Sequence, residues 1–358
     1  MIEKHAFGQL ADGRAVSRYR LKNKNGLSVD LLDLGGIIQS LIVPDGRGGA
    51  VDVVLGYDSA AEYERDDAYL GAVVGRWANR ISGAAFNLNG RRRTLAANDG
   101  PNHLHGGPSG FHRRLWAAEE GGRNEIIFSR LSPDGEEGYP GELRVSAAYA
   151  LNDNDELVFS LEAESDRDTV VNLANHAYFN LSASRPPVQS ADETLSRGSI
   201  LDHELRLKAD FISEVDSALI PTGRLLPVEG TPFDFRRFKT IGRDIEADHP
   251  QIKNGRGYDH NFILGVEGQD FAEVRSPQSG LSLILSTTLP GVQFYSGNAL
   301  GRRTGKNRLI YGPRSGFCLE TQLFPDSVNQ PAFPSPVLRK GEIYRHRTSY
   351  KFKAQPGQ

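Results

Sequence analysis

The chain has 358 residues, is 38% apolar and 24% charged, and carries a net charge of −3. That balance fits a globular protein with one large β domain or two ordinary ones, and gives no electrostatic reason to expect nucleic acid or an anionic membrane as a partner. Its single cysteine, Cys318, excludes an intrachain disulfide framework and a cysteine-based zinc centre, and suits a reducing compartment such as the cytoplasm.

The N-terminal segment Met1 to Gly8 lacks the apolar core and cleavage site of a secretion signal. No window approaches the ~20 apolar residues that a spanning helix needs, so a soluble cytoplasmic chain is the expectation. Turns are plentiful, with 39 Gly and 19 Pro to connect many strands. The first cluster is Asp45-Gly46-Arg47-Gly48-Gly49. Ser59, followed three residues on by Glu62, has the pattern of a capping box and predicts one short helix. Gly75-Arg76-Trp77-Ala78-Asn79-Arg80-Ile81 brackets an aromatic and an amide with two arginines, and reads on composition alone equally as a solvated basic turn. Asn89-Gly90 supplies the positive φ angles of a type I′ hairpin turn.

Asn102-His103-Leu104-His105-Gly106-Gly107 has two histidines at i and i+2, which on a strand face the same way and raise a metal pair. The next acidic residue, Glu119, comes only after a glycine-rich turn, so the ligand set stays incomplete and no metal is assigned. Leu143, Val145, Ala147, Tyr149 and Leu151 alternate with polar or small neighbours, as do Leu157, Phe159, Leu161 and Ala163. Both runs predict strands with one buried face.

From Val170 to Leu181 the alternation places Val171, Leu173, Phe179 and Leu181 on one face and Asn172, His176, Tyr178 and Asn180 on the other. A lone strand histidine is ordinarily a packed core residue. Here amides and a tyrosine surround it, and such groups are costly unless each finds a partner. Residues 182–199, with Arg185-Pro186-Pro187, read as an exposed loop insertion. In Gly257-Tyr258-Asp259-His260-Asn261, Asp259 is either a turn residue at a strand edge or a carboxylate accepting two sugar hydroxyls. Leu281, Leu283 and Leu285 predict another strand. The last polar cluster is Gly316-Phe317-Cys318-Leu319-Glu320-Thr321-Gln322, where Glu320 among apolar neighbours invites a raised pKa, as a base working near neutrality requires. A histidine and a glutamate on polar strand faces suggest an acid/base pair acting on a neutral polyol. The pattern as a whole predicts a single domain over residues 1–358, an all-β, large antiparallel β-sandwich with few short helices.

Taken in order, these clusters resemble the aldose 1-epimerase (galactose mutarotase) family. Gly138-Tyr139-Pro140-Gly141-Glu142-Leu143, Leu219-Ile220-Pro221-Thr222-Gly223, Gly230-Thr231-Pro232-Phe233-Asp234 and Leu289-Pro290-Gly291-Val292-Gln293-Phe294-Tyr295 match as well, so the resemblance runs from about Gly8 to Phe352. It implies a β-sandwich whose open sheet face binds a pyranose, and anomeric epimerisation without a cofactor. By the same resemblance, His176 is the general acid on the ring oxygen and Glu320 the base on the C1 hydroxyl. Asn79, Arg80, His105 and Asp259 match sugar-contacting positions, and Gln293 looks like a further hydroxyl contact. Tyr178 or Trp77 lies either against an apolar sugar face or in the core. Ala174 and Ala177 depart from the family pattern, which commonly has a threonine or serine there.

The implied partner is a small-molecule aldose, with the chain a monomer or homodimer. Three rivals remain. A glycoside hydrolase needs two carboxylates astride a glycosidic bond and leaves His176 without a task. A carbohydrate-binding module needs aromatic platforms but no acid/base pair. A phosphosugar epimerase of related fold needs clustered basic residues, whereas Arg91-Arg92-Arg93 and Arg113-Arg114 look like hairpin and surface charges.

Overall fold

The computed structural model describes residues 2–182, 198–265 and 267–354. The insertion expected at 182–199 falls largely outside them. A nine-stranded antiparallel sheet runs from Ala117–Glu120 at one edge, through Leu143–Leu151, Glu156–Ser165, Ile343–Ala354 and Leu281–Thr287, to Lys239–Thr240 at the other. A five-stranded sheet is ordered Pro221–Pro227, Phe211–Val215, Asp259–Ile263, Gly291–Tyr295, Cys318–Gln322, and a second five-stranded sheet is built from the N-terminal residues 3–52. One apolar core joins all three, with Val29 and Leu41 from the N-terminal sheet, Tyr149, Phe159 and Leu285 from the nine strands, and Phe262, Val292, Phe294 and Leu319 from the site sheet. The chain is a large antiparallel β-sandwich.

Local chemistry explains most elements. Leu143–Leu151 buries every second residue, as a sheet with one face on the core must. Asn89 and Gly90 take φ values of 51° and 74° between Ala85–Leu88 and Arg91–Thr94, as the hairpin reading requires. Ser59 caps the helix Ala60–Arg65, its Oγ accepting from the Glu62 amide at 3.4 Å. A second short helix, Pro250–Gly255, went unread in the sequence. It is capped by His249, with proline at its first position, where the missing N–H costs nothing. No helix among the described residues is long and apolar enough to cross a membrane.

One expectation needs correction, and one open alternative closes. Residues 170–181 form no continuous strand. They break into Thr169–Val170, Ala174–Asn175 and isolated bridges at Asn172 and Phe179. The buried amides stand in for ladder bonds: Asn172 Nδ2 donates to the Ala78 and Leu323 carbonyls while its Oδ1 accepts from the Leu323 amide. Nor is Gly75–Ile81 a solvated basic turn. Arg76 is only 2% exposed and donates to Ser132, Pro133, Pro140 and Gly141, which ties this segment to the Gly138–Leu143 stretch. Trp77 lies in the core.

Candidate active site

Residues directly opposite in an antiparallel ladder share a face. The register of the five-stranded sheet sets Asp259 opposite Tyr295, Asn261 opposite Gln293, Gln293 opposite Glu320, and Tyr295 opposite Cys318. The face away from the core is therefore a buried polar row. Glu320 stands at its centre, 2% exposed. Gln293 Nε2 donates to Asp259 Oδ1 at 2.7 Å, and Gln293 Oε1 accepts from Gln322 at 3.3 Å. Gln293 thus lies on the sheet face that Glu320 and Tyr295 present, with its amide engaged by Asp259 and Gln322.

His176 reaches this row from the segment that covers the sheet. The His176 amide donates to the Ala72 carbonyl at 2.8 Å, and its own carbonyl accepts from Gly71 at 3.0 Å. Three residues on, Phe179 and Phe317 exchange both backbone bonds, at 2.7 and 2.9 Å, so the His176–Phe179 segment runs beside the strand that carries Glu320. His176 Nε2 ends 3.7 Å from Glu320 Oε1. Glu320 Oε2 is buried with no hydrogen-bond partner among the described residues.

A third arm supplies Asn79, Arg80 and His105. The Asn79 carbonyl accepts from the His105 amide at 3.1 Å, and the Asn79 amide donates to His105 Nδ1 at 3.2 Å. Arg80 Nε donates to Asp99 Oδ2 at 2.7 Å, while the Arg80 carbonyl accepts from the Asp326 amide. The Pro325–Asn329 turn that follows Glu320 therefore anchors Arg80 to the same sheet. Between these arms opens a cavity of about 470 Å³, walled by Tyr69, Asn79, Arg80, His105, His176, Tyr178, Asp259, Tyr295 and Glu320 among others. All the expected site residues except Gln293 meet at this one cavity.

A family model described as aldose 1-epimerase matches residues 17–351. The chain belongs to the aldose 1-epimerase family, and is an isomerase. Galactose mutarotases of Sus scrofa and Homo sapiens are each 44% identical to it over 355 residues, covering 98% of either chain. The aldose 1-epimerase of Escherichia coli (strain K12) is 36% identical over 349 residues, 96% of this chain and 97% of its own. Among solved structures, an aldose epimerase homologue from C. elegans superposes with a TM-score of 0.85 at 29% identity, covering 95% of this chain and 99% of its own. The galactose 1-epimerase of Lactobacillus acidophilus superposes at 0.84 and 28%, covering 99% and 98%.

The electrostatics of the epimerase pocket follow from burial. Desolvation holds the His176 imidazole down at about 4. It pushes the Glu320 carboxyl well above the usual range, a direction reinforced by the neighbouring Asp259 and opposed by Arg80. Asp259 is likewise raised by burial, against the pull of Arg80 and the bond from Gln293. Both shifts run toward the uncharged forms, a neutral imidazole beside a protonated carboxyl.

His105 is also kept neutral by burial and by the nearby His176. Because its Nδ1 accepts from the Asn79 amide, the ring hydrogen sits on Nε2, which makes His105 a donor into the cavity. This bears on metals. His105, His176 and Glu320 each bring one ligand atom within 4.8 Å of the others, but the tautomer of His105 offers a hydrogen there where a metal needs a lone pair. The donor set fits a sugar better than an ion. The His103/His105 pair does not form, because His105 takes φ 49° and turns out of the strand direction. His103 goes to the core instead, bonding the Ala96 carbonyl at 2.6 Å and the Tyr139 hydroxyl at 2.7 Å.

Among the cavity residues not singled out from sequence are two tyrosines. Tyr295 follows Gln293 by two and shares its strand face, so parity alone could have found it. Tyr69 packs its ring 4.7 Å from His105 and 5.8 Å from His176, at a φ of 59° that no local motif announces.

Proposed function

We propose that this enzyme interconverts the α and β anomers of a free aldohexose such as galactose or glucose, with His176 as acid and Glu320 as base. One observation carries the reading: an imidazole nitrogen and a carboxyl oxygen lie 3.7 Å apart, side by side, at a cavity whose walls otherwise hold neutral hydrogen bonders and opposed charges. Adjacent groups of this kind suit the two oxygens that share one hemiacetal carbon. The reactive form is imidazolium facing carboxylate. It has the same proton count as the neutral pair that burial favours.

Glu320 takes the proton of O1–H, and the electrons of that bond form the C1=O1 double bond. The C1–O5 bond breaks with its pair moving to O5, which takes the Nε2 proton of His176. Rotation about C1–C2 then presents the other carbonyl face. In closure O5–H returns its proton to His176, O5 attacks C1, and Glu320 gives its proton to O1. Protons and electrons balance within the pair and the sugar, and no cofactor is consumed. Arg80 and the Nε2–H of His105 serve as donors to sugar oxygens, Asp259 as an acceptor from hydroxyls, and Tyr178 and Asn79 as further wall contacts. Each acid/base group is worth about 10²–10⁴-fold, and holding both in place adds an orientation benefit. A glycosidase needs a second carboxyl as partner, whereas the group beside Glu320 here is an imidazole. Galactose is the sugar in the names of the mammalian relatives, which supports a place in galactose and hexose metabolism. The one cysteine is a buried thiol, in keeping with a cytoplasmic enzyme.

Polarimetry of freshly dissolved α-D-galactose and α-D-glucose tests this directly. Rotation should relax to its equilibrium value much faster with enzyme than in buffer. Relaxation at the buffer rate for every common aldose rejects the proposal.

A further inference from the structure

We propose that Cys318 is a positioning residue for His176, its sulfur accepting the Nδ1–H of the imidazole so that Nε2 alone exchanges protons with the sugar. This rests on the acid role given to His176 above. Cys318 Sγ lies 3.5 Å from His176 Nδ1, both side chains buried. Cys318 and Glu320 are two apart on one strand and share a face, so a single strand presents the base to one ring nitrogen and a sulfur to the other.

Apart from a bond to the backbone of His176 itself, the remaining groups against the ring cannot tell its nitrogens apart. Tyr69 and Tyr178 lie nearly parallel to it, at 5.8 and 5.0 Å, and His105 meets it edge-on at 5.1 Å. The thiol is the only side-chain hydrogen bond to His176 Nδ1 among the described residues.

The proton balance of the reaction decides which way that bond must run. After ring opening, Nε2 must be bare, because O5–H returns its proton there at closure. A neutral imidazole with a bare Nε2 carries its hydrogen on Nδ1, and the imidazolium carries one there too. Nδ1–H therefore persists through the cycle and needs an acceptor throughout. Sulfur is a weak one. Burial, with Glu320 and Asp259 nearby, opposes a thiolate, so the group stays neutral. That neutrality has a consequence. A carboxylate at this position would stabilise the imidazolium and weaken it as an acid, whereas a thiol fixes the tautomer without doing so.

The test compares full-length wild type, Cys318→Ala, Cys318→Val and Cys318→Ser. Mutarotation supplies kcat and KM, and side-chain ¹⁵N spectra at neutral pH report the His176 tautomer. Wild type should show a protonated Nδ1 and a bare Nε2. Alanine, and valine where volume must be kept for folding, should lower kcat about five- to tenfold, the usual worth of one hydrogen bond. In both, KM should stay nearly constant and the His176 signals should move toward a tautomer mixture. Serine, a neutral acceptor, should restore both readouts. Wild-type kcat and an unchanged Nδ1 signal in the alanine or valine variant overturn the proposal, as does a serine variant no better than alanine. If wild type itself lacks mutarotase activity, the acid role fails first. The spectra still judge the Cys318–His176 bond separately, and identical spectra for wild type and alanine then overturn it.

Discussion

His176 and Glu320 illustrate what a residue-level reading captures. Each is a titratable group in an otherwise apolar stretch, and the structure brings both to one cavity with every charged form opposed by burial. Their titration makes a prediction with a definite sign. His176 is held at about 4 and Glu320 is raised well above its ordinary value, so between those limits the pair holds one proton. The imidazolium–carboxylate form that the proposed mechanism uses is then a constant fraction of the total. Below about pH 4 a second proton reaches His176 while Glu320 is still protonated, the base is lost and kcat/KM falls. Above the raised limit of Glu320 the pair loses its proton, and the rate falls for want of an acid. A profile of kcat/KM against pH should be flat through pH 6.5. A decline already setting in as pH drops through 6.5 would mean that His176 titrates as an exposed imidazole. Cys318 and Tyr69 were not legible as site residues. The first reads as one more apolar strand position, and the second owes its place to a backbone angle fixed by tertiary contacts.

Elements were legible where one rule applied at a time. The strand alternation of Leu143–Leu151, the Asn89-Gly90 turn and the Ser59 cap each follow from local chemistry. Residues 170–181 kept the expected division into core and polar faces, with Leu173, Phe179 and Leu181 in the core, but not the expected continuous strand. There the ladder is carried by side-chain amides, which no periodicity reveals. The His105 turn depends on glycine in the same hidden way. Gly106 has φ 82°, and a Cβ on it would fall 1.7 Å from the Gly75 carbonyl oxygen, so this turn and the Gly75–Ile81 arm lie backbone against backbone. Gly106→Ala must push them apart, which moves His105 away from Asn79 and displaces Arg80. It should lower the melting temperature by several degrees and cut kcat/KM by about 10²-fold, the scale of ångström misplacement. A variant with unchanged melting and turnover would show that the turn has slack the structure denies.

At the scale of the molecule, the sandwich supplies a floor and the crossing segments supply the walls. The five-stranded sheet carries Asp259 and Glu320, while His176, His105 and Arg80 hang from segments bonded to it through Phe317, Asp326 and Leu323. A cavity assembled this way exists only when the whole sandwich does. Calorimetry should therefore show one cooperative transition that rises with added D-galactose, by about 2.7 kcal/mol of stability at a hundred times the dissociation constant. Two transitions, only one of them moved by sugar, would divide the chain into separate units. The convergence itself is tested most directly by polarimetric turnover of galactose in Glu320→Gln, His176→Asn and the double variant. Groups that act as one device fail together. Each single change should lower kcat by about 10²-fold or more, and the double variant should be no slower than the worse single one. Near-wild-type turnover in either single variant, or losses that simply multiply, would contradict a shared acid/base pair.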